Sequence, residues 1–182
     1  QSSCNMDYGV LKKNLISVLK ESQIKLGYES VTMGVNYVTP SLLHLLPGVK
    51  EEDLQQVLLD FVKQNEDTFG EIAVRKTDVG YRLDVSPKGA DYVHGLIGDD
   101  DFLVNFINEV RSPSATIDSI IAVFKKYSNN VHIEKTDDNP EFDYLIYFEG
   151  GTPDEFWYCI DTEDLGMTYH RFMKDDYLDF DF

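Results

Sequence analysis

The segment FWYCIDTEDLGMTYHRF, residues 156–172, contains the residue types that could do chemistry: Cys159, Asp161 and His170. A cysteine can act as a nucleophile when a histidine lies within hydrogen-bond reach as its base and a third group orients that histidine. Asp161, or Asp143 on the preceding segment, is a candidate for the third group. Whether these side chains meet depends on the elements that carry them.

Four segments alternate apolar and polar residues in this part of the chain: VHIEK, FDYLIYFE, EFWYCIDT and GMTYHRFM. The intervening TDDNPE, GGTPD and EDLG are typical of turns. Four short strands joined by short turns predict an antiparallel meander. Alternate residues of a strand face opposite sides, so the side rich in Ile and Phe should pack on helices.

The opposite side of this sheet is the candidate site. A one-residue shift in strand pairing exchanges His170 and Arg171 between the two faces, and the sequence leaves this choice open. No glycine-lined nucleophile elbow, oxyanion loop or cysteine-protease motif accompanies the segment. We therefore expect a half-exposed polar face rather than a reaction centre, with an enzyme as an alternative. The residues that this face could gather are Asp143, Tyr147, Cys159, Asp161 and either His170 or Arg171.

No metal site or cofactor is predicted. The four histidines are scattered, and no HxxxH, CxxC or HExxH spacing occurs. The run GDDD ending at Asp101 lacks the ligand spacing of a calcium loop and suits a helix N-terminus. Gly150 and Gly151 lie in a strand turn rather than before a helix, so a phosphate-binding loop is not expected.

The first half of the chain predicts a different arrangement. YGVLKKNLISVLKESQIKLG has an apolar stripe at helical spacing, with Gly27 as its stop, and ESVTMGVNY alternates as a strand. SLLHLL follows as a short helix, with Thr39 as its cap and Pro40 at its first position. Residues 51–66 form a second amphipathic stretch, and EIAVRK and YRLDVS form a hairpin. Helix, strand, helix, helix and hairpin within residues 8–86 is the order of a winged helix.

Three helical stretches connect the halves: PKGADYVHGLI, DDDFLVNFINEVR and SATIDSIIAVFKKYS. The sequence therefore predicts an α+β chain with a winged-helix-like N-terminal unit, a helical connector and a four-stranded antiparallel C-terminal sheet. We expect unit boundaries of 1–88 and 89–182, with the second unit packed on the first because no Gly/Ser/Pro linker separates them. The tail KDDYLDFDF should form about one helical turn on the second unit.

Three stretches of the second half, EFDYLIYF, DEFWYCID and YHRFMKDDY, behind the winged-helix-like front half, resemble an uncharacterised bacterial family of unknown function from gut anaerobes. The resemblance covers most of the chain. It implies no activity and no catalytic residue.

The net charge of the chain limits the kinds of partner that it can bind. Sixteen Lys and Arg against 33 Asp and Glu give a net charge of −17, which disfavours nucleic acid and anionic membranes and suits a basic partner.

Two cysteines, Cys4 and Cys159, fit a reducing compartment without a structural disulfide. No apolar run reaches the roughly 20 residues of a membrane span, so the cytoplasm is expected. Gln1 at the first position leaves open whether a preceding segment was removed.

Two surfaces of the N-terminal half could carry function. Residues 51–66, which would be the recognition helix of a winged helix, have one basic residue, Lys63, and a set of acids that suits Lys or Arg of a partner protein: Glu51, Glu52, Asp60 and Glu66. The predicted wing holds the local basic cluster, which includes Arg75, Lys76 and Arg82. We therefore predict a non-catalytic interaction module that binds another protein or itself, with DNA binding through the wing as the alternative.

Overall fold

The computed structural model describes residues 6–137, 139–162 and 166–179. Within them the fold is mixed α+β, with eight α-helices and two antiparallel sheets of three and four strands. The chain forms two compact units, and the division falls between Gly98 and Asp99.

The first unit contains nine elements. In chain order they are α1 (Gly9–Leu26), β1 (Met33–Val38), α2 (Thr39–Leu45), the 3₁₀ helix η1 (Glu51–Asp53), α3 (Leu54–Gln64), α4 (Glu66–Phe69), β2 (Ile72–Lys76), β3 (Gly80–Val85) and α5 (Pro87–Leu96).

Apolar spacing explains α1. Leu11, Leu15 and Leu19 recur every four residues and are completely buried, which places one stripe of the helix in the core. The helix ends at Gly27, whose φ of 82° is left-handed, and the Gly27 amide donates to the carbonyl of Gln23. Glycine adopts this conformation without the steric penalty of a side chain, so Gly27 is the predicted stop of α1.

The three-stranded sheet has the order β1-β3-β2 and is antiparallel throughout. Burial alternates strictly along β1, because Met33, Val35 and Tyr37 point into the core while the residues between them are exposed. The Tyr37 hydroxyl donates to Asn14 Oδ1 of α1 at 2.8 Å, which satisfies both buried polar groups. The helices cover the inner face of the sheet, and its outer face remains exposed.

Two local predictions for this unit need correction. The helix predicted over 51–66 is interrupted at Asn65, whose side-chain amide donates to the Phe61 carbonyl, and α4 starts at the next residue. Thr39 is the first residue of α2 rather than its cap, because its amide and hydroxyl donate to the Val79 carbonyl across the sheet.

The second unit contains α6 (Phe102–Arg111), α7 (Ile117–Tyr127), β4 (Val131–Lys135), β5 (Tyr144–Phe148), β6 (Trp157–Asp161), β7 (Thr168–Phe172) and α8 (Lys174–Asp179). The strands form an antiparallel sheet in the order β4-β5-β6-β7, as predicted for the meander. Thr116 caps α7 in a reciprocal capping box with Ser119.

Aromatic rings fill the space between α6, α7 and this sheet. Phe106 of α6 and Phe124 of α7 contact Tyr158 edge to face, with ring centroids 4.7 and 5.4 Å apart. Tyr158 is fully buried, so the face of the sheet that carries it is the inner one. Cys159 and its neighbours on the alternate positions therefore lie on the outer face.

Among the described residues, no helix combines the length and the apolar character that crossing a bilayer would require.

Candidate functional site

The register of β6 and β7 decides which residue faces Cys159. Cys159 is paired with His170, and Tyr158 is paired with Arg171, so His170 shares the outer face with Cys159. No hydrogen bond joins the two side chains among the described residues. His170 is exposed, whereas the Cys159 side chain is 1% exposed.

Burial controls the chemistry of Cys159. It raises the pKa of the thiol to about 12, because the apolar surroundings disfavour the charged thiolate. A nucleophilic cysteine needs the opposite shift, from a nearby cation or a helix N-terminus. The contacts of Cys159 are those of a buried apolar side chain, and this geometry argues against the enzyme alternative.

The surroundings of Cys159 are aromatic where a polar face was expected. Tyr147 and Trp157 stack with ring centroids 3.9 Å apart, and His132 stacks on the other side of Tyr147 at 4.6 Å. Tyr177 of α8 contacts Trp157, so the C-terminal helix lies over this face. A small apolar cluster surrounds Cys159, and it consists of Phe142, Leu145, Tyr147, Trp157, Phe172 and Tyr177.

The two aspartates proposed to orient His170 have other surroundings. Asp143 accepts hydrogen bonds from the Thr162 amide, at 2.9 Å, and from the Thr162 hydroxyl. It thereby ties the loop before β5 to the end of β6. Asp161 is partly buried at the end of β6 and is paired with Thr168. None of these contacts of Asp143 and Asp161 involves His170.

A buried polar network on the inner side of this sheet was not foreseen. The Arg171 side chain is 3% exposed and its guanidinium lies 4.0 Å from the Phe156 ring centroid. Arg171 Nε donates to the Tyr158 hydroxyl at 3.1 Å, and that hydroxyl donates to Asp154 Oδ2 at 2.8 Å. Asp154 also accepts from Arg171 Nη2 at 3.4 Å and from the Phe156 amide at 2.8 Å. Burial is the main cause that raises the Tyr158 pKa, so the network contains a neutral phenol between the two charges.

The acidic residues predicted to bind a partner fall into two groups. Glu51 and Glu52 in η1 and Glu66 at the start of α4 are exposed. Asp60 is different, because its carboxylate accepts hydrogen bonds from the Tyr8 hydroxyl and from Gln64 Nε2 at 3.1 Å. It therefore holds α3 to the residue that precedes α1. Leu59, which the sequence reading did not include, is 45% exposed on the same helix.

The basic residues of the predicted wing lie on the β2–β3 hairpin, two of them on its outer face and one at the end of β2. Arg75 of β2 and Arg82 of β3 are direct cross-strand partners on the outer face, and Asn36 of β1 is paired with Arg82 on its other side. Arg82 Nε lies 3.0 Å from Asp84 Oδ1, while Arg75 is exposed. Lys76 is paired with Tyr81 and is exposed at the end of β2.

Metal ligands do not converge in the part of the chain that the structure describes, since no group of three His, Cys, Asp or Glu side chains there could hold an ion.

The family of the chain is established by a match over residues 8–180. The chain belongs to DUF3877, a domain of unknown function whose description refers to a gene of E. rectale. This confirms the resemblance inferred from the sequence. No curated protein and no solved structure matches the chain. Because DUF3877 carries no assigned activity, a function has to be argued from the surfaces themselves.

Charge separates the two units of this DUF3877 domain. Residues 1–98 contain 10 basic and 13 acidic residues, a net charge of −3. Residues 99–182 contain 6 basic and 20 acidic residues, a net charge of −14. The strong negative charge of the chain is therefore concentrated in the second unit.

Proposed function

We propose that residues 9–85 form a winged-helix-like module that binds protein through the exposed side of η1 and α3. The element order and the sheet order β1-β3-β2, with the second hairpin strand in the centre, support this arrangement. The module is non-catalytic, and the composition of two cysteines, with Cys159 free and buried, favours the cytoplasm as its location.

The carrying observation is the composition of that exposed side. Leu59 supplies exposed apolar area, Glu51 and Glu52 lie at the N-terminal end, and Glu66 lies beyond the C-terminal end. A winged helix that reads DNA places its second core helix in the major groove with basic residues against phosphates. Carboxylates at those positions repel phosphate and attract Lys or Arg, so the surface suits a protein partner.

A charge-reversal experiment tests the proposal. The chain would be immobilised, and the proteins it retains from a lysate of its source organism would be compared between wild type and Glu51→Lys/Glu52→Lys. We expect this variant to lose a retained protein, because the reversal replaces attraction by repulsion. Glu29→Lys/Asp91→Lys is the matched control, since both residues are exposed and the change in net charge is identical. Equal retention by the two variants would remove the support for this surface.

A second candidate, DNA binding through the wing, is favoured by the cross-strand pair of Arg75 and Arg82. Its test is a gel shift with mixed duplexes at about 50 mM salt, where phosphate contacts are strongest. Loss of a shift in Arg75→Glu would favour this candidate, and the absence of any shift would exclude it.

A further inference from the structure

The outer face of the three-stranded sheet carries an unusual row of polar residues. Asn36, Arg82 and Arg75 are consecutive neighbours across β1, β3 and β2. Like charges directly opposite each other on a sheet are destabilising. Asp84 offsets one of the two charges, and within the described residues Arg75 makes no ion pair. A carboxylate of a partner could therefore bind Arg75.

Small residues keep this face flat. Gly34 and Ala73 flank Asp84 in the next row, and a Cβ at Gly34 would overlap the guanidinium of Arg82. Val38, at the outer end of β1, is 45% exposed on the same face. The surface thus combines apolar area with two arginines.

The same unit carries the complementary surface elsewhere. The exposed side of η1 and α3 presents Leu59 with Glu51 and Glu52, and it belongs to the helical layer on the inner side of the sheet. One surface is apolar with arginines, and the other is apolar with carboxylates. Because the net charge of residues 1–98 is only −3, the repulsion between two such units is small.

We propose that the outer sheet face around Arg75 and Arg82 binds a second copy of this chain, through the acidic side of η1 and α3 of that copy. The inference rests on the proposed function and names its partner. Arginine pairs with carboxylates in a bidentate geometry, which suits Arg75 and Arg82 opposite Glu51 and Glu52. Since two different surfaces meet, the contact is heterologous, and repetition of it gives rings or open chains.

Salt should affect the association in two ways. At about 150 mM salt the screening length is about 8 Å, so repulsion between the acidic second units is damped while contacts at hydrogen-bond distance persist. Higher salt weakens the contacts themselves. Association is therefore expected at moderate ionic strength and is reduced at about 1 M salt.

Complementary variants provide the test, with sedimentation velocity of the full chain as the measurement. Glu51→Lys/Glu52→Lys makes the acidic surface basic, and Arg75→Glu/Arg82→Glu makes the basic surface acidic. Each variant alone should associate at least tenfold more weakly than wild type. An equimolar mixture should recover association, because the unchanged sheet face of the first variant complements the unchanged helix side of the second, and the two reversed surfaces also have opposite charges. Lys88→Glu, also on an exposed residue of this unit, is the control that should leave association unchanged.

The outcomes separate the two proposals. A wild-type chain that stays monomeric up to about 1 mM would overturn self-association. The proposed function would survive that result if a lysate protein is retained and lost in Glu51→Lys/Glu52→Lys. A mixture that fails to associate would also overturn the inference, as would a duplex DNA shift that depends on Arg75. Arg75→Glu alone, which keeps the Arg82–Asp84 pair, provides a second measurement if the double variant unfolds.

Discussion

Replacement of Arg171 by methionine should destabilise the second unit strongly, because the change leaves the buried carboxylate of Asp154 without this cation. The Arg171 and Asp154 side chains are 3% and 10% exposed, so water cannot substitute well for the lost partner. Breaking a buried ion pair by removing one member costs about 3–5 kcal/mol. Asp154 retains the donors from the Phe156 amide and the Tyr158 hydroxyl, which places the expected loss near the lower limit, at about 3 kcal/mol.

The partner variant and the double variant sharpen this expectation. Asp154→Asn retains the shape and one acceptor but removes the charge that faces the guanidinium. If the two residues act as one network through Tyr158, the double variant should cost less than the sum of the single changes, with a coupling of about 1–3 kcal/mol. Methionine preserves most of the apolar contact with the Phe156 ring, so the comparison isolates the charge and its hydrogen bonds.

Urea unfolding followed by tryptophan fluorescence measures the loss of stability in the second structural unit. Trp157 is the single tryptophan of the chain and lies on β6 beside this network. The midpoint should fall while the slope of the transition stays constant, since the surface exposed on unfolding is unchanged. Single changes that each cost less than about 1 kcal/mol, or that add without coupling, would refute the view that Arg171 holds β7 to the Asp154 loop.

Three further outcomes follow from single positions. In a Cys4→Ser background, Cys159 should react slowly with iodoacetamide from pH 7 to 9, and equally slowly in His170→Ala, because burial raises the pKa of the thiol to about 12. The stability that the neutral thiol contributes is complete below the pKa of the unfolded thiol, about 8.5, and is lost as the pH rises toward 12. A labelling midpoint near pH 8.5 would contradict this expectation. Gly80→Ala should cost about 1–3 kcal/mol in thermal unfolding, because its Cβ would overlap the Tyr37 carbonyl, whereas the control Gly95→Ala has open space on α5 and should gain up to about 1 kcal/mol. Tyr37→Phe should lower the free energy of unfolding by about 1–3 kcal/mol, because it leaves the buried Asn14 Oδ1 without its donor. The control Tyr147→Phe, on the half-exposed outer face of the four-stranded sheet, should lower it by less than about 0.5 kcal/mol in the same urea assay.

Local periodicity was sufficient for most of the element order. The leucine stripe of α1 and the alternation of β1 each reflect burial on one side, which is a property of neighbouring residues. The hairpin of β2 and β3 was predictable for the same reason, since Gly80 closes a turn between two alternating runs. These signals require no knowledge of distant contacts.

Long-range contacts explain what the sequence could not supply. The alternation of β7 is equally compatible with either face, so only its pairing with β6 places His170 beside Cys159 and Arg171 beside Tyr158. Asp60 was predicted to bind a partner protein because the Tyr8 hydroxyl that donates to it lies 52 residues earlier in the chain, outside the local pattern. The predicted polar face around Cys159 is covered by Tyr177 of α8, which lies beyond the strands from which the prediction was made, and the stacking of Tyr147 on Trp157 depends on the pairing of β5 with β6.

The division of charge changes which argument bears on nucleic acid binding. A net charge of −17 spread over one surface would repel a phosphate backbone by itself. With −14 in the second unit and −3 in the first, long-range repulsion arises mainly from the second unit, and exposed charges more than a screening length away are damped at physiological salt. Within the first unit, the exposed carboxylates of η1 oppose DNA on the helix side. The outer sheet face carries Arg75, Arg82 and Asp84, and Arg75→Glu should weaken a partner with carboxylates and a partner with phosphates alike. The assay that loses its signal in this variant, sedimentation of the chain or a shift of duplex DNA, therefore identifies the partner, which the total charge cannot do.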